Sequence, residues 1–169
     1  MEEKNIDREV LMSVYKNAHI GLQSISNVID ETDDERMKTE LKNEYEGYEK
    51  LIGKLSGYMK ENGVEPKDVN FMKKAFMKAA IKMNTLTDDS ASHIAELMVK
   101  GTVTGITELS EILNNHGKEL GEKVKALTEE LKTLEETYEE RLKKLIYDDV
   151  IRLSKLNAAV AKTLRPPLF

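Results

Sequence analysis

The chain from Leu120 to Ile146 reads LGEKVKALTEELKTLEETYEERLKKLI, and its apolar residues return every three or four positions. Such spacing gathers apolar side chains along one side of a helix, as in helices that pack against other helices. We therefore predict a helix here, helix D, in an all-α protein whose helices form a bundle. The predicted core residues of helix D are Leu120, Val124, Leu127, Leu131, Leu134, Tyr138, Leu142 and Leu145.

Two more helices with the same kind of repeat are predicted earlier in the chain. Helix A covers about residues 6–29, and helix B begins after Thr32, whose hydroxyl we expect to form a capping box with Glu35. Asn62-Gly63 is a typical helix C-terminus, and Pro66 suits the first turn of a new helix. The predicted core residues are Leu11, Tyr15, Ala18, Leu22, Ile25 and Ile29 in helix A, and Met37, Leu41, Tyr45, Tyr48, Ile52, Leu55 and Met59 in helix B.

The segment 66–113 has nearly unbroken helical periodicity and would make a helix of about 70 Å, far longer than A or B. Its residues 84–90, NTLTDDS, favour helix caps over helix interiors. We predict a break there, with a short helix at 67–85 and helix C at about 88–113. Four similar helices with a long helical B–C crossover form the ferritin-like up-down-down-up bundle. One unbroken helix paired with helix D, a long αα-hairpin, is the alternative.

Several short segments resemble a known family. They are KNAHIG (16–21), MNT (83–85), SHIAE (92–96) and GTVTGI (101–106). Together they resemble a bacterial ferritin-like family of unknown function, over about residues 1–146. The resemblance implies a ferritin-like four-helix bundle and transfers no activity. The helical tail 147–169, which ends in Pro-Pro-Leu-Phe, departs from the family pattern and is treated as a separate region.

Composition excludes several classes of function. The chain has no cysteine, which excludes disulfides, thiolate metal sites and cysteine nucleophiles. No apolar run approaches the roughly 20 residues of a membrane span, and the acidic start lacks the features of a secretory signal, so we expect a cytoplasmic protein. The sequence contains no glycine-rich phosphate loop and no recognisable Ser-His-Asp motif. A non-enzymatic role without a cofactor is expected.

Metal binding is a minority hypothesis. A ferritin-type site needs Glu-x-x-His, and none of the three histidines has a glutamate three residues before it. The inverted spacing His93-x-x-Glu96 still puts both side chains on one side of a helix. In a ferritin-like bundle Glu44 and Glu135 fall near the height of Glu96, which suggests a non-standard divalent metal site of these four residues. We favour the alternative, a surface pair of His93 and Glu96, with Glu44 bonded to Tyr15 or at the core edge.

The C-terminal tail differs from the rest of the chain in charge. Residues 1–150 contain all 31 acidic residues and 22 basic ones, a net charge of −9, whereas residues 151–169 carry +4. An apolar stripe also runs through this tail, and a helix with one such stripe must bury it on something. We therefore expect the tail 150–169 to mediate homo-oligomerisation or docking to a protein partner. The stripe comprises Ile146, Val150, Leu153, Leu156, Val160 and Leu164.

A second amphipathic stretch lies at residues 69–87, with four lysines and no acidic residue. Such a helix can bind an anionic membrane surface. We favour the simpler interpretation, a connecting helix with solvated lysines. The acidic chain has no nucleic-acid-binding motif, so no nucleic-acid partner is expected.

Overall fold

The computed structural model describes residues 2–65 and 90–163 of the chain. Within these ranges the structure consists of four α-helices and contains no strand, which confirms the all-α class. They correspond to predicted helices A to D and span α1 (Glu2–Val28), α2 (Glu35–Glu61), α3 (Ala91–His116) and α4 (Glu122–Thr163). The predicted helix 67–85 lies outside the described residues.

The ends of α3 and α2 show where local chemistry begins and stops a helix. Ser90 caps α3, and its hydroxyl accepts from the backbone N–H of His93 at 3.3 Å. Helix C therefore begins within the predicted polar stretch, and a single unbroken helix over 66–113 is not formed. At the end of α2, Asn62 is the C-cap and Gly63 has φ +64°, a left-handed conformation that glycine adopts easily.

The start of α2 differs from the prediction. Asp34, and not Thr32, is the N-cap: its carboxylate accepts from the backbone N–H groups of Arg36 and Met37, at 2.9 and 3.0 Å. The buried Thr32 hydroxyl accepts instead from the backbone N–H of Asp34 at 3.2 Å. The predicted capping box was wrong because Thr32 holds the turn that positions Asp34, and the helix begins two residues later.

Short connections and one long-range hydrogen bond fix the helix directions. The short segments 29–34 and 117–121 join α1 to α2 and α3 to α4, and each pair packs closely, as antiparallel neighbours do. Asp7, near the start of α1, accepts from the backbone N–H of Gly121, just before α4, at 2.9 Å. Helices α1 and α4 therefore begin at the same end of the bundle, and α2 and α3 run the opposite way.

Ion pairs between α2 and α4 agree with these directions. Arg36 at the start of α2 pairs with Asp149 late in α4 at 2.7 Å, and Lys54 pairs with Glu130, early in α4, at 2.5 Å. Helices α1 and α4 each contact the three other described helices, whereas α2 and α3 hardly touch. Helices α2 and α3 therefore occupy opposite corners of the bundle.

The apolar seams of the four helices meet in one core. Six of the eight core residues predicted for helix D are buried, including Leu120 just before α4, and Leu134 and Leu145 are partly buried at the edge of the core. In α1 the buried face is turned slightly from the predicted one. It includes Val10, Val14 and Val28, which the prediction missed, while Tyr15, Leu22 and Ile29 are only partly buried.

Helix α4 crosses the predicted boundary at 146/147 without a break and reaches Thr163. Every residue from Arg152 to Ala161 is exposed. We call residues 147–163 the α4 extension. Pro166-Pro167 and the rest of the tail lie outside the described residues. None of the described helices is both long and apolar enough to span a bilayer.

Candidate functional site: a buried polar core and its cavity

Five polar or aromatic side chains lie buried at mid-height in the bundle. They are Asn17 of α1, Glu44 and Tyr48 of α2, and Glu135 and Tyr138 of α4, none of them more than 7% exposed. The spacing of four in α2 and of three in α4 places each pair on one side of its helix, facing the interior. We call these five residues the polar core.

Glu135 is 1% exposed and only half satisfied. Its Oε1 accepts from the Tyr48 hydroxyl at 3.1 Å, while its Oε2 has no hydrogen-bond partner. Burial raises the pKa of Glu135 to about 8, and the Glu108 carboxylate adds to this, while the Tyr48 hydrogen bond opposes it. At neutral pH the buried group is therefore mainly the neutral acid.

Glu44 is also 1% exposed, and its Oε1 has no hydrogen-bond partner. Burial raises its pKa to about 9, the Glu40 carboxylate raises it further, and Arg141 lowers it. Arg141 pairs with Glu40 at 3.3 Å. Tyr15, one of the partners considered for Glu44, packs edge-on against His19 with ring centroids 4.4 Å apart. Glu44 therefore lies well inside the core rather than at its edge.

Two tyrosines surround these carboxyl groups. The rings of Tyr48 and Tyr138 lie 5.6 Å apart at a tilt of 54°. Burial is the main cause that raises the pKa of both phenols, so both keep their hydroxyl protons. Glycines on neighbouring helices make room for them, since a Cβ on Gly21 would overlap the Tyr48 ring and one on Gly47 would overlap the Tyr138 hydroxyl.

A cavity of about 120 Å³ lies beside the polar core and reaches Glu135. Small residues of α1 and α3 create it, notably Gly21, Gly101 and Gly105. The complete lining is Asn17, Ile20, Gly21, Ser24, Tyr48, Leu97, Met98, Gly101, Thr102, Thr104, Gly105, Glu108 and Glu135. Gly101 borders this open space, whereas Gly105 is packed closely against Glu135 and Asn17.

Gly105 brings two oxygen atoms together at this cavity. The Asn17 side-chain amide donates to the Gly105 carbonyl at 3.2 Å. A Cβ on Gly105 would lie 2.5 Å from Glu135 Oε2 and 2.9 Å from Asn17 Oδ1. Both oxygens therefore pack against the backbone of Gly105, and any larger residue at position 105 would displace them.

The structure divides the four residues of the predicted metal site into two places. Glu44 and Glu135 lie in the polar core, and after burial, which is the largest cause, both carboxyl groups raise the pKa of Tyr48. Glu96 is exposed and pairs with Lys100 at 2.6 Å, and this pair, with a smaller effect of His93, lowers the pKa of Glu96. Across residues 2–65 and 90–163, no group of three or more histidine and acidic side chains is close enough to hold a metal ion. Metal binding at these residues stays a prediction.

Sequence reasoning identified Glu44 and Glu135 but missed the part played by Asn17. The signal was available, because Asn17 lies one turn after the apolar Val14 and next to Ala18, on the side that faces the core. Comparison of the chain with profiles of known families, with curated proteins and with solved structures gave no match.

Proposed function

We propose that this protein is a ferritin-like helical bundle that assembles with a second copy of itself through the α4 extension. The observation that supports this proposal is a row of large apolar side chains exposed beyond the end of the bundle. Its members are Val150 (58% exposed), Leu153 (54%), Leu156 (59%) and Val160 (48%).

The row has the spacing of a helix-packing face. Its members follow one another at intervals of three or four residues, which places them along one side of α4. Fully burying a side chain of this size contributes about 1.5–3 kcal/mol. Four of them on one side of a helix give a strong tendency to pack against another surface, and exposed apolar patches commonly mark interaction sites.

Charge favours a second copy of the chain as the occupant. The extension carries Arg152 and Lys155 beside its apolar row, while residues 1–150 have a net charge of −9. When two extensions pack antiparallel, the basic turns of each copy approach the acidic bundle of the other. A parallel pair would bring like charges together, which disfavours that arrangement.

The ferritin-like part of the proposal rests on the order of the helices. Helices α1 and α4 run one way and α2 and α3 the other, the up-down-down-up order of that fold class. This order requires a long connection between α2 and α3, which residues 62–90 provide. The resemblance of four short segments to a bacterial family is a second, independent argument for the same class.

The experiment compares two double variants of the full chain by light scattering over a range of protein concentrations. Leu153→Glu with Leu156→Glu places two charges in the apolar row. Ser154→Glu with Ala158→Glu adds the same charge to exposed positions in the same turns, outside the row. We expect wild type and the second variant to reach at least twice the 19.2 kDa of one chain, and the first variant to remain monomeric.

The proposal fails if wild type is monomeric at 100 µM or if both variants keep the wild-type mass. A monomer would mean that another part of the same chain, or a different protein, covers the row. Circular dichroism on each variant confirms that the helices are intact, so that a loss of mass reports association and not unfolding.

A further inference from the structure

We propose that Asn157 fixes the register of the paired α4 extensions, by hydrogen bonding to Asn157 of the second copy at the centre of an antiparallel interface. This inference rests on the proposed assembly and deepens it, because it names the residue that decides how the two extensions align. Asn157 is a polar side chain among the apolar side chains of the exposed row.

Asn157 lies within the sector of the helix that the apolar row occupies. At about 100° per residue it falls between Val150 and Leu153 around the helix axis, about 20° from Val150 and about 40° from Leu153. Like its neighbours from Arg152 to Ala161, it is exposed in the single chain. A helix that covers the row therefore covers Asn157 as well, and its amide group then needs hydrogen-bond partners inside the interface.

The end of the bundle limits how far two extensions can overlap. Asp149 lies on the same side of α4 as the row but is only 5% exposed, and Arg36 at the start of α2 pairs with it at 2.7 Å. The open space beside the row therefore begins at Val150. A second extension that enters antiparallel can bring its own Thr163, the last residue of α4, level with Val150 and no further.

This full overlap of residues 150–163 puts the two-fold axis of the pair between residues 156 and 157. The two copies of Asn157 then face each other with a height difference of about 1.5 Å. An amide side chain has both N–H donors and a carbonyl acceptor, so two facing amides can donate to each other. The two copies of Leu156 meet at the same level on the opposite flank of the row, and they keep this centre of the interface apolar.

Other alignments are disfavoured for separate reasons. A pair that slides outward by one helical turn places Asn157 against Val160 of the second copy, which leaves the amide without a partner. An in-register parallel pair would also bring the two copies of Asn157 together, but it would place both acidic bundles at the same end. In coiled coils, one asparagine at a core position fixes the register at a cost in stability.

The experiment measures disulfide crosslinking of single-cysteine variants of the full chain, which has no cysteine of its own. Each variant is oxidised at a concentration where light scattering under reducing conditions shows that it is paired. The two copies of residue 156 lie at nearly the same height, whereas those of residue 150 lie about 20 Å apart, far beyond the reach of a disulfide. We expect Leu156→Cys to crosslink at least tenfold faster than Val150→Cys.

The matched control is Ala158→Cys. This exposed position lies near the height of Leu156 but about 140° from Leu153 around the helix, so it faces away from the interface. It should crosslink as slowly as Val150→Cys. Rapid crosslinking of this variant would report random collisions of exposed thiols and would contradict the expected pattern.

Asn157→Leu tests the role of the amide itself. The variant should associate at least as tightly as wild type by light scattering, because an apolar side chain replaces a polar one in the row. Combined with Val160→Cys, it should raise the crosslinking rate at least fivefold over Val160→Cys alone. The outward slide brings the two copies of residue 160 from about 10 Å to about 5 Å apart in height, and leucine no longer disfavours that slide.

Four results overturn the proposal. Slow crosslinking of Leu156→Cys in the paired protein would place the axis elsewhere, and equal rates for Leu156→Cys and Val150→Cys would indicate a parallel pair. An unchanged rate of Val160→Cys in the Asn157→Leu background would show that another contact sets the register. These three leave the proposed assembly intact, whereas a monomeric wild type removes the assembly and this inference together.

Discussion

At the scale of single residues, Glu44 and Glu135 put carboxyl groups into an apolar interior, each with one oxygen that has no hydrogen-bond partner. A carboxyl group in this position avoids the cost of a buried charge by keeping its proton. The pKa values of about 9 for Glu44 and about 8 for Glu135 express this. The folded protein therefore holds protons at pH 7 that the unfolded chain, with glutamate pKa values near 4.5, has released.

This proton difference predicts that the protein becomes less stable as pH rises from 7 to 9. A raised folded-state pKa contributes stability at low pH, and that stability is lost as pH rises through the folded pKa. Each group lowers the free energy of unfolding by at most about 1.4 kcal/mol per pH unit in this window. His19 does not interfere, because burial lowers its pKa from 6.5 and it is neutral over this range.

Glu44→Gln isolates one of the two groups. Urea unfolding at pH 7, 8 and 9 should show a shallower pH dependence for this variant than for wild type. Glu49→Gln, an exposed position on the same helix, should follow the wild-type curve. Parallel curves for wild type and Glu44→Gln would mean that Glu44 does not keep its proton in the folded protein.

Substitution of two glycines of α2 by alanine should have opposite effects on the stability of the protein. Gly47→Ala should destabilise the protein by about 1–3 kcal/mol, because the new methyl group overlaps the hydroxyl of the buried Tyr138. Gly53→Ala meets no atom within 4 Å and should stabilise it by up to about 1 kcal/mol through better helix propensity. Chemical denaturation of both variants measures the difference, and equal effects would contradict the packing around Tyr138.

The sequence revealed part of this residue-scale arrangement. Glu44 stood out because it interrupts an apolar stripe in α2. The meeting of Asn17, Gly105 and Glu135 could not be foreseen, since it depends on the relative rotation of α1, α3 and α4. The spacing of apolar residues predicts which side of a helix faces the core to within about one residue, or 100° of rotation at 3.6 residues per turn. Contacts between individual side chains depend on the rotation of each helix more precisely than that.

At the scale of elements, the start of α2 shows how a helix boundary is decided. Asp34 offers its carboxylate to two free N–H groups of the first turn, and the same hydrogen bonds, that of Met37 first, lower its pKa. Thr32 and Asp34 are both good N-cap residues by composition. The prediction of an N-cap in this segment is therefore confirmed, but the predicted residue, Thr32, was wrong. Which of the two residues caps the helix depends on the backbone turn before it.

Asp34→Ala should cost about 0.5–2 kcal/mol of stability, the usual range for loss of an N-cap side chain. Asp33→Ala is the matched control, since Asp33 is fully exposed and its contact with Lys38 is long, at 3.9 Å. Thermal unfolding of the two variants should show a lower Tm for Asp34→Ala alone. A similar Tm for both would assign the helix start to another group.

At the scale of the whole molecule, the all-α class and the four helices of residues 2–65 and 90–163 followed from the sequence because each seam repeats over many turns. A long apolar repeat still identifies a helix when single core positions are predicted wrongly. Four helices of similar length can then pack in only a few arrangements of a bundle. A helical tail after residue 146 was also predicted, as a separate region, whereas residues 147–163 continue α4 without a break. The part that could not be foreseen is the cavity, because its volume depends on three helices approaching one another where glycines replace larger side chains.

The uncovered last turns of α4 have a consequence for any particle built from this chain. Residues 150–163 rise about 21 Å along the helix axis at 1.5 Å per residue, so chains joined there would keep their bodies apart by a spacer of roughly that size. Such a particle would be open and loosely filled rather than a closed shell. Water and small solutes would therefore reach every face of each body after the chains had joined.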